Sequence, residues 1–132
     1  MEMNNIKYGI VGPVGRFQAA IKVVSQLYGL TEREVRDKRR IRCVVDARYM
    51  AMRMVRETTS LSLNDIGTLF NRDHTTVIHA IKATEDLLET SEQYRLDYEY
   101  AKKCYKQIVY PGLYDEEEDD TEKDFLHQIA GK

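Results

Sequence analysis

Cysteine, histidine and long apolar runs are all scarce in this chain, and each scarcity removes a class of function. The two cysteines, Cys43 and Cys104, lie far apart and form no CxxC pair. They could close at most one bridge and cannot build a zinc cage, so free thiols in a reducing compartment are the expectation. Nowhere does an apolar run approach the roughly 18 residues that would suggest a membrane span, and Met1 to Val11 lacks the apolar core of a secretory signal. These absences predict a soluble cytoplasmic protein with no membrane partner.

Catalytic groups are scarce too. Acid–base or metal chemistry would have to draw on His74, His79, Asp73 or the carboxylates near the C-terminus. At about 100° per residue, His74 and His79 stand roughly 140° apart on a helix and cannot share a metal as a pair four apart can. His79 is expected to pack or hydrogen-bond at the core edge. The stretch Gly9-Ile10-Val11-Gly12-Pro13-Val14-Gly15 has glycines like a phosphate loop. It lacks the Lys-Ser/Thr ending and no βαβ pattern follows it, so it reads as a flexible lead-in. The expectation is no enzyme, no metal and no cofactor.

What the chain does have is charge, unevenly placed. Residues 1–84 carry 14 Lys and Arg against 8 Asp and Glu, whereas residues 85–132 carry 6 against 14. Thr31 to Arg56 alone holds 9 basic and 4 acidic side chains, so a net charge of -2 conceals a basic stripe. Such a stripe is either a solvated face or the footprint of nucleic acid, and charge alone does not decide between them.

Apolar periodicity predicts an all-α domain. Phe17, Ile21, Val24 and Leu27 or Tyr28 recur at helical spacing up to Gly29, a C-capping glycine. Thr31-Glu32-Arg33-Glu34 has the form of a capping box opening a short helix toward Asp37. A basic stretch, Lys38-Arg39-Arg40-Ile41-Arg42, leads into a helix with Val44, Ala47, Ala51, Met54 and Val55 on one stripe, stopped by Thr58-Thr59-Ser60. Ser62-Leu63-Asn64-Asp65 is a second capping box, and its helix ends at Asn71, a residue that tolerates the left-handed conformation of a tight turn. Asp73 is placed to cap the next helix, which carries Val77, Ile78, Ala80, Ile81, Thr84, Leu87 and Leu88. A short helix, a tight turn and a longer capped helix make a helix-turn-helix. A last helix, Ser91 to Val109, has Tyr94, Leu96, Tyr98, Tyr100 and Tyr105 and closes at Pro111-Gly112. The expected organisation is a lead-in over 1–15, a DNA-binding domain over 16–112 and an acidic, disordered tail over 113–132, with Phe125, Leu126 and Ile129 as a small anchor.

The helix-turn-helix gives the polar residues around Asp73 a purpose. A helix N-terminus entering the major groove brings its first side chains to base edges and its free amides toward phosphate. Thr75 and Thr76 offer methyls and hydroxyls, His74 a donor, and Asp73 an acceptor for a cytosine amino group or simply an N-cap. Arg72, Lys82 and Arg48 are expected at phosphates. Lys38, Arg39, Arg40 and Arg42 are candidates for a narrow minor groove, where negative potential is strongest.

The run Ser62 to Ala80, with its Asp-His-Thr-Thr-Val-Ile-His-Ala string, strongly resembles the C-terminal DNA-binding domain of the bacterial replication initiator DnaA, and the similarity extends from about Phe17 to Lys103. The resemblance implies a Trp-repressor-like helix-turn-helix fold and recognition of an asymmetric AT-rich box. By the same resemblance Asp73, His74, Thr75 and Thr76 face major-groove bases, and Arg40 enters the minor groove. No motif of the initiator's ATPase module stands in these 132 residues, and the expectation is the DNA-binding domain without it. Its turn, Phe70-Asn71-Arg72-Asp73, is one residue shorter than the family's commonest form, which has two glycines before the arginine. Asp46-Ala47-Arg48-Tyr49 stands where the family usually has Arg-Pro-Arg-Gln.

Two functions remain open from the sequence. One is sequence-specific binding of double-stranded DNA at initiator-type boxes in the nucleoid, regulating replication or transcription. The other is a protein-interaction module on the same scaffold that has lost DNA binding. The acidic tail is a candidate surface for a protein partner in either case.

Overall fold

A computed structural model of the chain describes residues 12–38 and 40–111. They form six helices and no strand: α1 Pro13–Tyr28, α2 Glu32–Arg36, α3 Arg42–Thr58, α4 Leu63–Phe70, α5 His74–Thr90 and α6 Glu92–Val109. The start of α1 moves one expected boundary. Pro13 occupies its first turn, where a fixed φ and a missing N–H cost nothing, so Pro13 to Gly15 are helical rather than part of a lead-in. Residues 1–11, with the first part of the glycine-rich stretch, lie outside the described residues, as does the tail from residue 112.

The terminators and caps follow local chemistry. Gly29 ends α1 at φ 67°, a left-handed conformation that glycine adopts without a Cβ clash. Thr31 and Ser62 both close full capping boxes, with Glu34 and Asp65 as their reciprocal partners. The central element is α3, packed on α1, α2, α4 and α5, while α6 closes against α1 and α5. Along α3 the stripe Val44, Ala47, Ala51, Met54 and Val55 is buried together with Met50 and Met52. Each large side chain fully withdrawn from water contributes about 1.5 to 3 kcal/mol, before the entropy of ordering it. In α6 the buried positions are Tyr98, Ala101, Tyr105 and Val109, three to four residues apart. Leu96 falls off that stripe and is exposed.

The C-terminal end of α3 is tied by side chains bonded to one another. The Arg16 guanidinium donates to the Thr58 carbonyl at 3.2 Å and the Tyr110 hydroxyl at 2.8 Å, and the Thr58 and Tyr105 hydroxyls lie 2.7 Å apart. On the neighbouring residue, the Glu57 carboxylate accepts from Arg53 at 2.7 Å, Tyr98 at 2.9 Å and Lys102 at 3.3 Å. Arg53 also donates to the Ile81 carbonyl at 3.2 Å, joining α5 to the group.

Candidate nucleic-acid interface

Two helices of 8 and 17 residues, α4 and α5, meet at a very short turn. Asn71 makes it possible by taking φ 55° and ψ 47°, an outlier that asparagine tolerates better than most residues. The Arg72 amide reaches back to the Gly67 carbonyl at 2.7 Å and the Asn71 amide to Thr68 at 3.1 Å, satisfying carbonyls that the end of α4 would leave open. The chain folds back so closely that a Cβ on Gly67 would lie 2.5 Å from the Arg72 carbonyl oxygen. Gly67 is therefore required by the turn, a role not foreseen from the sequence. A glycine inside a strong helical pattern was the available signal.

This turn delivers the start of α5 to the surface. Asp73, His74 and Thr75 are exposed and Thr76 is half-buried. Asp73 holds the N-cap backbone conformation, but its carboxylate makes no capping hydrogen bond, contrary to the expected side-chain cap. Its backbone carbonyl receives the Thr76 amide at 3.0 Å and the Val77 amide at 3.4 Å instead. The carboxylate is thus not consumed by the helix end.

The basic stretch runs beside this helix start. Lys38, Arg40, Val45, Arg48, Tyr49, Asn71, Arg72, Asp73 and Thr76 line one open cleft of about 580 Å³. The expected minor-groove loop and the expected major-groove helix therefore share a wall. Val45, Tyr49 and Asn71 join it, residues to which the sequence had assigned no part in DNA contact. Lys38, Arg40 and Arg42 are exposed. The Arg42 side chain is 86% exposed and its Nε lies 3.3 Å from Asp46, one turn on, in a solvent-facing ion pair. Arg39 falls outside the described residues.

The three residues expected at phosphates are placed differently from one another. Lys82 is exposed on α5. Arg48 is only 5% exposed; its Nε donates to the Val35 carbonyl at 3.1 Å and its Nη2 to the Asp37 carbonyl. Burial first, and the neighbouring Arg72 charge second, push the Arg48 pKa below the usual arginine value. Two of its donors are thus engaged by the fold, although the residue also lines the cleft where a phosphate contact was expected. Arg72 is half-buried and donates to the carbonyls of Phe70 at 3.0 Å, Asn71 at 3.1 Å and Asp37 at 2.9 Å.

Further along α5 two expectations change. His79 is exposed rather than packed at the core edge. Ile78, read from the sequence with the apolar stripe, is 43% exposed. Val77, Ala80 and Thr84 form the buried side, and Ile78 is rotated from Val77 by about 100°. Thr75, Ile78, His79 and Lys82 therefore share the outward face of α5. An exposed isoleucine there offers apolar contact of the kind a thymine methyl accepts.

Among the described residues no three His, Cys, Asp or Glu side chains gather as metal ligands. No helix there is long and apolar enough to cross a membrane. The model of the family described as bacterial dnaA protein helix-turn-helix matches residues 17–83, just over half of the chain, from the second turn of α1 through the first half of α5.

Proposed function

The chain belongs to the bacterial DnaA helix-turn-helix family, whose module binds DNA and is not catalytic, and on that premise we propose that it reads an asymmetric AT-rich duplex with two elements at once. The start of α5 enters the major groove, with Asp73, His74, Thr75 and Thr76 against base edges. Lys38, Arg40 and Arg42, with Arg39 beside them in sequence, follow the adjacent minor groove, and Lys82 meets phosphate. The observation that carries this reading is the cleft that sets Lys38 and Arg40 beside Asp73 and Thr76. Bound at such boxes in the nucleoid, the protein regulates replication or transcription by competing for initiator sites. The run Asp115 to Asp120 is a competitor for the same basic surface or a handle for a basic protein partner; removal of residues after Gly112 then tightens DNA binding at low salt.

Titration of fluorescent duplexes at two salt concentrations tests the reading. An AT-rich box binds more tightly than a scrambled GC-rich duplex, and log affinity falls steeply with log salt as counterions are released. His74→Ala and Thr76→Ala each cost about 1 to 3 kcal/mol and relax base preference at the positions they face. Equal, weak affinity for every duplex would remove the sequence-specific part. No binding at all would favour the protein-interaction module.

A further inference from the structure

The peptide joining Asp37 to Lys38 is held from every side. Its carbonyl accepts from Nη2 of Arg48 and from Nη2 of Arg72 at 2.9 Å, and its N–H donates to the Asp37 carboxylate at 2.7 Å. The two guanidiniums arrive from different elements. Arg48 belongs to α3 and also grips Val35 in α2; Arg72 belongs to the turn and also grips Phe70 and Asn71, immediately before α5. A carbonyl has two lone pairs, and here both are taken by charged forks whose planar geometry sets direction as well as distance.

We propose that the Asp37 carbonyl, shared by Arg48 and Arg72, is the joint that fixes the register between the basic loop and the N-terminus of α5, making both arginines positioning residues for sequence reading. The loop leaves this peptide toward Arg40, and α5 begins at His74, two residues beyond Arg72. The same bonds therefore set where the minor-groove side chains stand relative to the major-groove ones. Groove readout tolerates little slack, since a side chain must meet its base edge within fractions of an ångström. A loosened joint leaves every DNA-facing charge in place, so attraction to phosphate persists while the loop loses its fixed register. The inference rests on the two-element DNA reading and specifies how its halves are coupled.

The test is the base preference of the full-length chain, measured position by position on duplexes selected from a randomised pool, for wild type, Arg48→Met and Arg72→Lys. Arg72→Lys keeps the positive charge and sits on a half-exposed turn, so it remains informative where Arg48→Met fails to fold. The expected result is a loss of about tenfold in preference at the AT-rich positions flanking the core, with preference at the core retained. The salt slope stays unchanged, and amides of residues 38–42 exchange faster in the DNA-free variant. A merely structural role would lower preference and binding at all positions alike. A direct phosphate contact would reduce the salt slope by about one unit. Either of those outcomes, or unchanged flanking preference and amide exchange in folded variants, overturns the joint. A wild-type chain that selects no sequence removes the DNA reading and the joint together, whereas normal wild-type selection with unaffected variants removes the joint alone.

Discussion

The two ends of α3 lie roughly 25 Å apart at 1.5 Å per residue, and they differ in how far their polar side chains are paired with one another. At the C-terminal end, side chains mostly satisfy one another, Arg16 with Tyr110, Thr58 with Tyr105, and Glu57 with Arg53, Tyr98 and Lys102, while Arg16 and Arg53 also reach the Thr58 and Ile81 carbonyls. At the N-terminal end, guanidiniums hold backbone carbonyls, and a second set of polar side chains, Lys38, Arg40, His74 and Thr75, is left facing solvent. The first arrangement closes a structure on itself. The second fixes a backbone while leaving hydrogen-bonding capacity unspent, which is what a recognition surface needs.

The largest way to break this contrast is at Gly67. With a backbone oxygen 2.5 Å from its would-be Cβ, Gly67→Ala forces α4 and the turn apart, and overpacking of this kind costs about 3 kcal/mol. Thermal unfolding by circular dichroism should show the midpoint falling by about 12 °C or more. An unchanged midpoint would mean that α4 and the turn have room for a methyl group.

A smaller effect is expected at the closed end. Tyr98→Phe removes a donor to a charged acceptor, worth about 1.5 to 3 kcal/mol, and leaves DNA affinity untouched. The Glu57 carboxyl is pushed up by burial, but the bonds from Arg53 and Tyr98 and the nearby positive charges outweigh this and hold its pKa below the usual 4.5. A carboxyl that ionises more readily in the folded chain stabilises it fully above the unfolded pKa, and that stability is lost as pH falls through the lower, folded value. Glu57→Gln should accordingly flatten the loss of stability below about pH 4.5, read from denaturation midpoints across pH; an identical acid limb in the variant would count against the network.

The smallest effect on stability, and the sharpest test of the open end, is Asp46→Asn. The Arg42–Asp46 pair faces solvent, so its loss changes stability by less than about 1 kcal/mol. It also frees Arg42 and removes a negative charge beside the cleft. DNA affinity at low salt should rise several-fold, with a slightly steeper salt slope. Weaker binding in the variant would place Asp46 among the favourable contacts.

What was legible in the sequence was what neighbours decide. Thr31 and Ser62 cap within three residues, Gly29 and Asn71 turn by their own conformational tolerance, and the α3 stripe follows a period. The arginines were not legible in this way. Along the chain, Arg40, Arg42, Arg48 and Arg72 look alike, yet the partners of Arg48 lie 11 and 13 residues away and one of the three partners of Arg72 lies 35 away. Tertiary packing sorts them into struts and projecting charges, and no local pattern announces which is which. Ile78 was misread for a different reason: its apolar character placed it with the core, although its angle from Val77 was already available. The family match covers residues 17–83 and extends to neither the second half of α5 nor α6.

The exposure of Lys38, Arg40 and Arg42 has a practical consequence as well. Trypsin cleaves after lysine and arginine where the backbone can be drawn into its active site, and these side chains stand outside any helix or at the first residue of one. A nick here would separate α1 and α2 from the rest in sequence but not in space, because α1 remains packed on both α3 and α6. If a duplex seats in the cleft as proposed, it covers the scissile bonds, and the time taken for the chain to split there becomes a label-free measure of how much of it is bound.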